Sequence, residues 1–147
     1  MYFSLTFSGP KGTRNTWDDY HMIPSSRPII VLPEAIFDFV EVPGRNGKLD
    51  MTGFLTDGSS PSYGQRSNSI EFYIPDEYAD QYQEKLMDLA AFLHGQRLDM
   101  TMEGDPGWTY HGRWKVNQWK SDKSWSVVTL DYELDPFKTN ASGDEAL

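Results

Sequence analysis

Short runs of residues in which every second side chain is apolar, cut apart by Gly, Pro, Asn and Ser, confine this chain to a mainly β architecture. Phe3, Leu5 and Phe7 alternate in a first strand, and Ser8-Gly9-Pro10-Lys11-Gly12 ends it. Ile70, Phe72 and Ile74 point one way, with Glu71 and Tyr73 pointing the other. Leu98, Met100 and Met102, then Trp108, Tyr110, Trp114 and Val116, then Val128, Leu130, Tyr132 and Leu134 read as a three-stranded meander. Its turns are predicted at Asp105-Pro106-Gly107 and at Ser121-Asp122-Lys123-Ser124.

One segment departs from period two. Between Asp76 and His94, Tyr78, Tyr82, Leu86, Leu89 and Leu93 fall three or four residues apart, on one stripe of an α-helix expected over about 76–94. Asp76 suits its N-cap and Gly95 the position just past its end. From Thr16 to Pro33 the pattern is irregular, and Pro24, Pro28 and Pro33 cannot donate to a ladder, so an extended or looping arm is expected. A strand pair follows, Ala35 to Val42 and Lys48 to Thr52, joined by Pro43-Gly44-Arg45-Asn46-Gly47. A polar loop from Thr56 to Asn68 leads to the next strand. The small, polar residues from Thr139 to Leu147 predict a frayed tail, so the expected division is a folded domain over 1–138 and a flexible segment over 139–147.

With 147 residues there is material for one moderate core. The chain has no cysteine, hence no disulfide and no thiolate chemistry. No apolar run approaches the roughly 20 residues of a membrane-spanning helix, and no membrane anchor or leader is expected. The net charge is −9, with Lys and Arg scattered among carboxylates, which argues against a phosphate-gripping basic face and so against sequence-specific nucleic-acid binding. A negative surface would instead let DNA pass through a channel without adhering.

No catalytic constellation emerges. His21, His94 and His111 lie too far apart for a local zinc pattern, there is no Gly-x-Ser-x-Gly elbow, and there is no Gly-rich phosphate loop. Asp131, Glu133 and Asp135 share a strand face, where they either hold a hard cation or form an acidic face opposed by Lys and Arg; the second reading is preferred. Asp18, Asp19 and His21 read as turn formers. Neither a cofactor, a metal nor an enzymatic activity is expected.

Aromatic residues make 14% of the chain, and that surplus asks for a use. Trp108, Tyr110 and Trp114 share one strand parity and are expected in the core, whereas Trp119 and Trp125 flank a turn and are harder to bury. Exposed Trp and Tyr serve both protein interfaces and sugar platforms, because a flat ring offers much contact area at little entropic cost.

Six stretches occur in a telling order: residues Asn15 to Pro28, Val42 to Thr52, Tyr63-Gly64-Gln65-Arg66, Leu93-His94-Gly95-Gln96, Asp105-Pro106-Gly107 and Trp119-Lys120-Ser121-Asp122. Together, over about residues 1 to 138, the chain resembles the ring-forming N-terminal domain of the distal tail proteins of long-tailed bacteriophages and prophages of Gram-positive bacteria. That resemblance implies a β-sandwich or split barrel with one helix, related to tail-tube subunits. It implies a structural protein at the virion tail tip, a hexameric ring joining the tail tube to the hub and the receptor-binding machinery. Partners would be further copies of itself, the tube protein and the hub protein. On this reading Trp17, Arg27, Tyr63, Arg66, Trp119 and Trp125 are subunit-interface candidates, with Arg27 and Arg66 meeting a neighbour's carboxylates; the alternative for the arm and the Tyr63–Arg66 turn is an ordinary clamp within one chain. Two other roles stay open: a tail-tube subunit that would polymerise, and a carbohydrate-binding adhesion module using Trp119 and Trp125.

Overall fold

The computed structural model describes residues 3–54, 61–123 and 125–147, so part of the expected 56–68 loop and one residue of the Ser121–Ser124 turn lie outside the described residues. The strands are β1 (Leu5–Gly9), β2 (Gly12–Asn15), β3 (Ile23–Pro24), β4 (Ala35–Ile36), β5 (Phe39–Val40), β6 (Leu49–Asp50), β7 (Ser62–Tyr63), β8 (Arg66–Ile74), β9 (Arg97–Met102), β10 (Asp105–Ser121), β11 (Ser126–Leu134), β12 (Lys138–Asn140) and β13 (Glu145–Ala146). A 3-10 turn (Asp76–Gln81) runs into the helix α1 (Tyr82–Leu93). The mainly β class with a single α-helix is therefore as read from the alternation.

The principal sheet runs β2-β1-β9-β10-β11-β8-β3, with every pairing antiparallel, and β12 and β13 extend it from β10. The 17-residue β10 holds it together. Its first half pairs β9 and its second half pairs β11, and the two ladders overlap only at Gly112 and Arg113. Gly112 is buried at that junction, where a Cβ would come within 2.4 Å of the Glu133 carbonyl oxygen and 2.5 Å of the Leu134 Cα. Three strands can share this point because no side chain stands between them. The apolar parity of each strand faces one core: Leu5 and Phe7, Leu98 and Met100, Tyr110 and Trp114, Val128 to Leu134 on even numbers, and Ile70, Phe72 and Ile74. Phe7 meets Trp114 edge to face with ring centroids 4.9 Å apart, and Trp114 meets Tyr132 at 5.1 Å. Leu89, Phe92 and Leu93 of α1 close this core.

Several expectations change once strands choose partners. The turn between β9 and β10 is Glu103-Gly104, not Asp105-Pro106-Gly107: Asp105 already pairs Met102, and residues 106–109 form a bulge before Tyr110 pairs Met100. The bulge carries Trp108 and Thr109 across to Asn140 and Thr139 of β12, so Trp108 is half-buried at the edge and not in the core cluster. A second bulge between Val116 and Gln118 inverts the parity of β10, which brings Trp119 opposite Val128 and against the core. Residues 139–147 are not an irregular tail, since β12 and β13 form a hairpin held by the Asn140 side chain, which accepts from the backbone N–H groups of Ser142 and Asp144.

The helix also begins differently. Asp76 makes no capping hydrogen bond; the 3-10 turn starts after Pro75, and neither it nor α1 has a side-chain cap. Tyr82 consequently ends exposed, while Phe92 takes a core place that the sequence stripe had not given it. The end is as expected: Gly95, at φ +77°, turns the chain in the left-handed region. Between β3 and β8 the chain pairs in two small two-stranded sheets, β4 with β7 and β5 with β6. Residues 39–40 and 49–50 pair as foreseen, but 35–36 join 62–63 because the chain returns there before entering β8.

Candidate functional site

Arg66 begins β8 on the same parity as Ile70 and Phe72 and is 1% exposed. Its Nε donates to the Pro136 carbonyl at 3.1 Å and its Nη1 to the Val31 carbonyl at 3.1 Å, while the guanidinium lies 5.4 Å from the Tyr110 ring centroid. Burial lowers its pKa, and the neighbouring Tyr110, Tyr132 and Asp105 act in the opposite direction. The expectation that Arg66 meets a neighbour's carboxylates is corrected here. Its Nε and Nη1 point inward and clamp the 27–34 segment and the approach to β12 onto β8, while Nη2 is buried with no hydrogen-bond partner among the described residues.

Tyr132 adds to that clamp, its hydroxyl oxygen accepting from the Val31 N–H at 3.1 Å, and Ile30 is buried in the core. The expected arm is thus fastened along the body. Replacing Arg66 with Met leaves two carbonyls without their charged donor and is expected to cost about 2 kcal/mol, seen as a lower urea midpoint with unchanged m.

Beside the clamp, Lys138 Nζ donates to Asp105 Oδ2 at 2.7 Å and the Tyr110 hydroxyl donates to the same oxygen at 2.8 Å. Burial alone would raise the Asp105 carboxyl, but these two donors and the Lys138 charge outweigh it and hold it below the ordinary carboxylate range. A folded-state pKa below the unfolded one contributes stability that is present above pH ~4 and lost as pH falls through the depressed value. In Asp105→Asn that acid-limb loss of stability should shrink, as read by urea unfolding between pH ~5 and ~2.

The remaining candidates divide by exposure. Trp17 is half-buried, edge-on to His21 at 5.1 Å and to Tyr78 at 5.8 Å, and His21 stacks on Tyr78 at 3.8 Å. Tyr63 is half-buried on β7 and edge-on to Phe137 at 5.9 Å. Trp119 is half-buried and lines a groove with Tyr82, Leu86 and Lys123, its indole N–H lacking a hydrogen-bond partner among the described residues. Arg27 and Trp125 are exposed, Arg27 lying 5.6 Å from the Phe3 ring. No ring contact joins Trp119 to Trp125 among the described residues.

On the outward face of the sheet, an open cleft of about 710 Å³ runs past Ser67, Ser69, Arg113, Lys115, Asp131 and Glu133. Within the chain Asn117 donates to Asp131 at 2.8 Å and Lys115 lies 4.0 Å from it, while Glu133 is in register with Arg113, whose Nη1 donates to the Gly95 carbonyl at 2.9 Å. Asp135 is paired with Arg97. The three acidic residues therefore face cations across the strands, and among the described residues no group of three His, Asp or Glu could hold a metal ion.

A surface the sequence reading passed over lies at residues 29–50. Ile29, Leu32, Ile36, Phe37, Phe39, Val40, Val42 and Leu49 are all exposed, Phe37 at 67%. The sequence does carry a signal: apolar residues stand at both parities, 36 and 37, then 39 and 40, so no strand facing a single core could bury them all.

No family model matches the chain, and neither does any curated protein. Among solved structures it is similar to the crystal structure of the Dit protein of phage SPP1, described as a paradigm of the hub adsorption apparatus in phages infecting Gram-positive bacteria, with a TM-score of 0.68 and 16% identity. The match covers 95% of this chain and 53% of that one, so the chain spans about half the length of its neighbour. At that identity the likeness speaks for the fold alone, and it does so over nearly the whole of this chain, a mainly antiparallel β-structure with one α-helix among the described residues.

Proposed function

We propose that this chain is a structural protein of a phage tail tip, closing with copies of itself into a hexameric ring that joins the tail tube to the hub and the receptor-binding apparatus, and that it transforms no substrate. The observation that carries the proposal is the fold shared over 95% of the chain with the SPP1 Dit protein. The exposed Ile36, Phe37, Phe39, Val40, Val42 and Leu49 of the 36–50 ribbon support it, because an exposed apolar patch marks a site of association. A ring closed by rotation joins two different surfaces of each subunit, and the exposed apolar ribbon would be one of them. The excess of carboxylates, 22 against 13 basic residues, would ease passage of DNA through such a ring.

Light scattering and negative-stain imaging of the purified chain over a range of concentrations test the proposal. Rings of one or two layers are expected. Long tubes would favour a tail-tube subunit, and a monomer that binds glycans would favour an adhesion module. A compact monomer at the highest concentrations would sink the ring.

A further inference from the structure

The turn between β5 and β6 holds the chain's single Asn-Gly pair, Asn46-Gly47. In water such a pair is reactive, because the glycine nitrogen can close a five-membered ring on the asparagine side-chain amide, and the missing Cβ leaves that nitrogen open to approach. A fold suppresses the reaction when it ties either group into hydrogen bonds. Here it ties neither. Residues 41–50 are all exposed, and among the described residues the Asn46 amide and the Gly47 N–H make no hydrogen bond. The bonds of this ribbon lie elsewhere: the Arg45 N–H donates to the Val42 carbonyl at 3.1 Å, the Asp38 N–H to the Thr52 hydroxyl at 2.9 Å and the Thr52 N–H to Asp50 at 3.0 Å. A Cβ built at Gly47 would meet nothing within 4 Å, so the space about its nitrogen is open. The flanking strands are two residues each and pair only with one another, which leaves little to hold the turn in one geometry.

The other four asparagines are followed by residues with a side chain, Thr16, Ser69, Gln118 and Ala141, and the fold engages each of them. Asn15 donates to the hydroxyls of Ser4 and Thr6 and accepts from the N–H groups of Trp17 and Asp18, and the Thr16 N–H is itself committed to the Leu5 carbonyl. Asn140 accepts from the N–H groups of Ser142 and Asp144. Asn117 donates to Asp131, and Asn68 lies within β8 in register with Tyr132.

From this contrast we infer that Asn46 is a site of spontaneous covalent modification, at which the folded chain converts its own amide to a carboxylate. The Gly47 nitrogen, its proton lost to hydroxide, bonds to Asn46 Cγ; the Cγ–Nδ2 bond breaks and ammonia leaves. Water then opens the resulting succinimide. Attack at the side-chain carbonyl leaves an aspartyl residue at position 46, and attack at the backbone carbonyl leaves an isoaspartyl residue, whose main chain runs through the former side chain and is one carbon longer. Either product adds a carboxylate to a ribbon that already holds Asp38, Glu41 and Asp50 beside Arg45 and Lys48. On the function proposed above, that charge enters a surface by which copies associate, but the modification itself does not depend on that reading.

Peptide mapping by mass spectrometry tests it, on chain incubated at a dilution where light scattering finds single molecules. Each conversion adds about 1 Da to its peptide. In the folded chain position 46 is expected to convert at least ~10-fold faster than any other asparagine, and within ~5-fold of its own rate in urea, because its turn needs no opening to react. The rate should rise about tenfold per pH unit, since only the deprotonated nitrogen attacks. Asn46→Gln, which would have to close a six-membered ring, should lose the fast reaction while its circular dichroism matches wild type. Conversion at position 46 no faster than at Asn15, Asn117 or Asn140, or slowed by folding beyond that margin, would overturn the inference.

Discussion

Gly112→Ala is expected to destabilise the folded chain by about 3 kcal/mol, lowering the thermal midpoint by about 9 °C. The added methyl would sit 2.4 Å from the Glu133 carbonyl oxygen and 2.5 Å from the Leu134 Cα, both backbone atoms of β11. Neither can swing aside as a long side chain would, because Glu133 and Leu134 are held in register with Arg113 and Gly112 on one side and with Ser67 and Arg66 on the other. Relief requires that β11 move from β10 at the one place where both ladders of β10 meet. Gly9 provides the comparison: its added Cβ would meet the Leu98 Cδ2, the end of a side chain that can change rotamer, so Gly9→Ala should cost markedly less. Equal midpoints for the two variants in calorimetry would refute this account of the junction.

The second large effect concerns Trp114, which is 1% exposed and sits between Phe7 and Tyr132. Trp114→Ala should cost about 4 kcal/mol, through lost burial and the cavity left among side chains from β1, β10 and β11. Its indole N–H has no hydrogen-bond partner among the described residues, so Trp114→Phe forfeits volume but no hydrogen bond seen there. The Phe variant should therefore retain more than half of the stability that Ala loses. If Phe proved as damaging as Ala in urea unfolding, the nitrogen would have a role that its surroundings do not show.

Legibility varied along the chain for physical reasons. Val128, Leu130, Tyr132 and Leu134 alternate without interruption, and the strand and its buried face are where the alternation put them, because an unbroken period of two can serve only one face. In β10 the same rule misled: one extra residue near Asn117 inverted the parity, so Trp119 packs inward although its number places it on the other face. Nothing local distinguishes that bulge from an ordinary strand residue. Likewise Arg66 reads as a surface cation in a polar loop, yet the carbonyls of Val31 and Pro136 lie 35 and 70 residues away in the chain, and only folding brings them to it. The candidate surfaces fared similarly: Arg27 and Trp125 are exposed, whereas the exposed apolar side chains between Ile29 and Leu49 became visible only once folding showed which of them stay uncovered.

By itself, then, the amino-acid order determined what short-range physics controls: the mainly β class, the single helix, the left-handed turn at Gly95, and the absence of long apolar or thiol-bearing segments. Tertiary structure alone decided the pairing of β4 with β7, the turn at Glu103-Gly104, the inward clamp of Arg66 and the uncovered ribbon at 36–50. The reason is common to all of these. Backbone dihedrals and side-chain periodicity are properties of neighbours in sequence, but a hydrogen-bond partner, a buried charge or an exposed apolar face is a property of neighbours in space, and its energy depends on strands that meet only after the chain has collapsed.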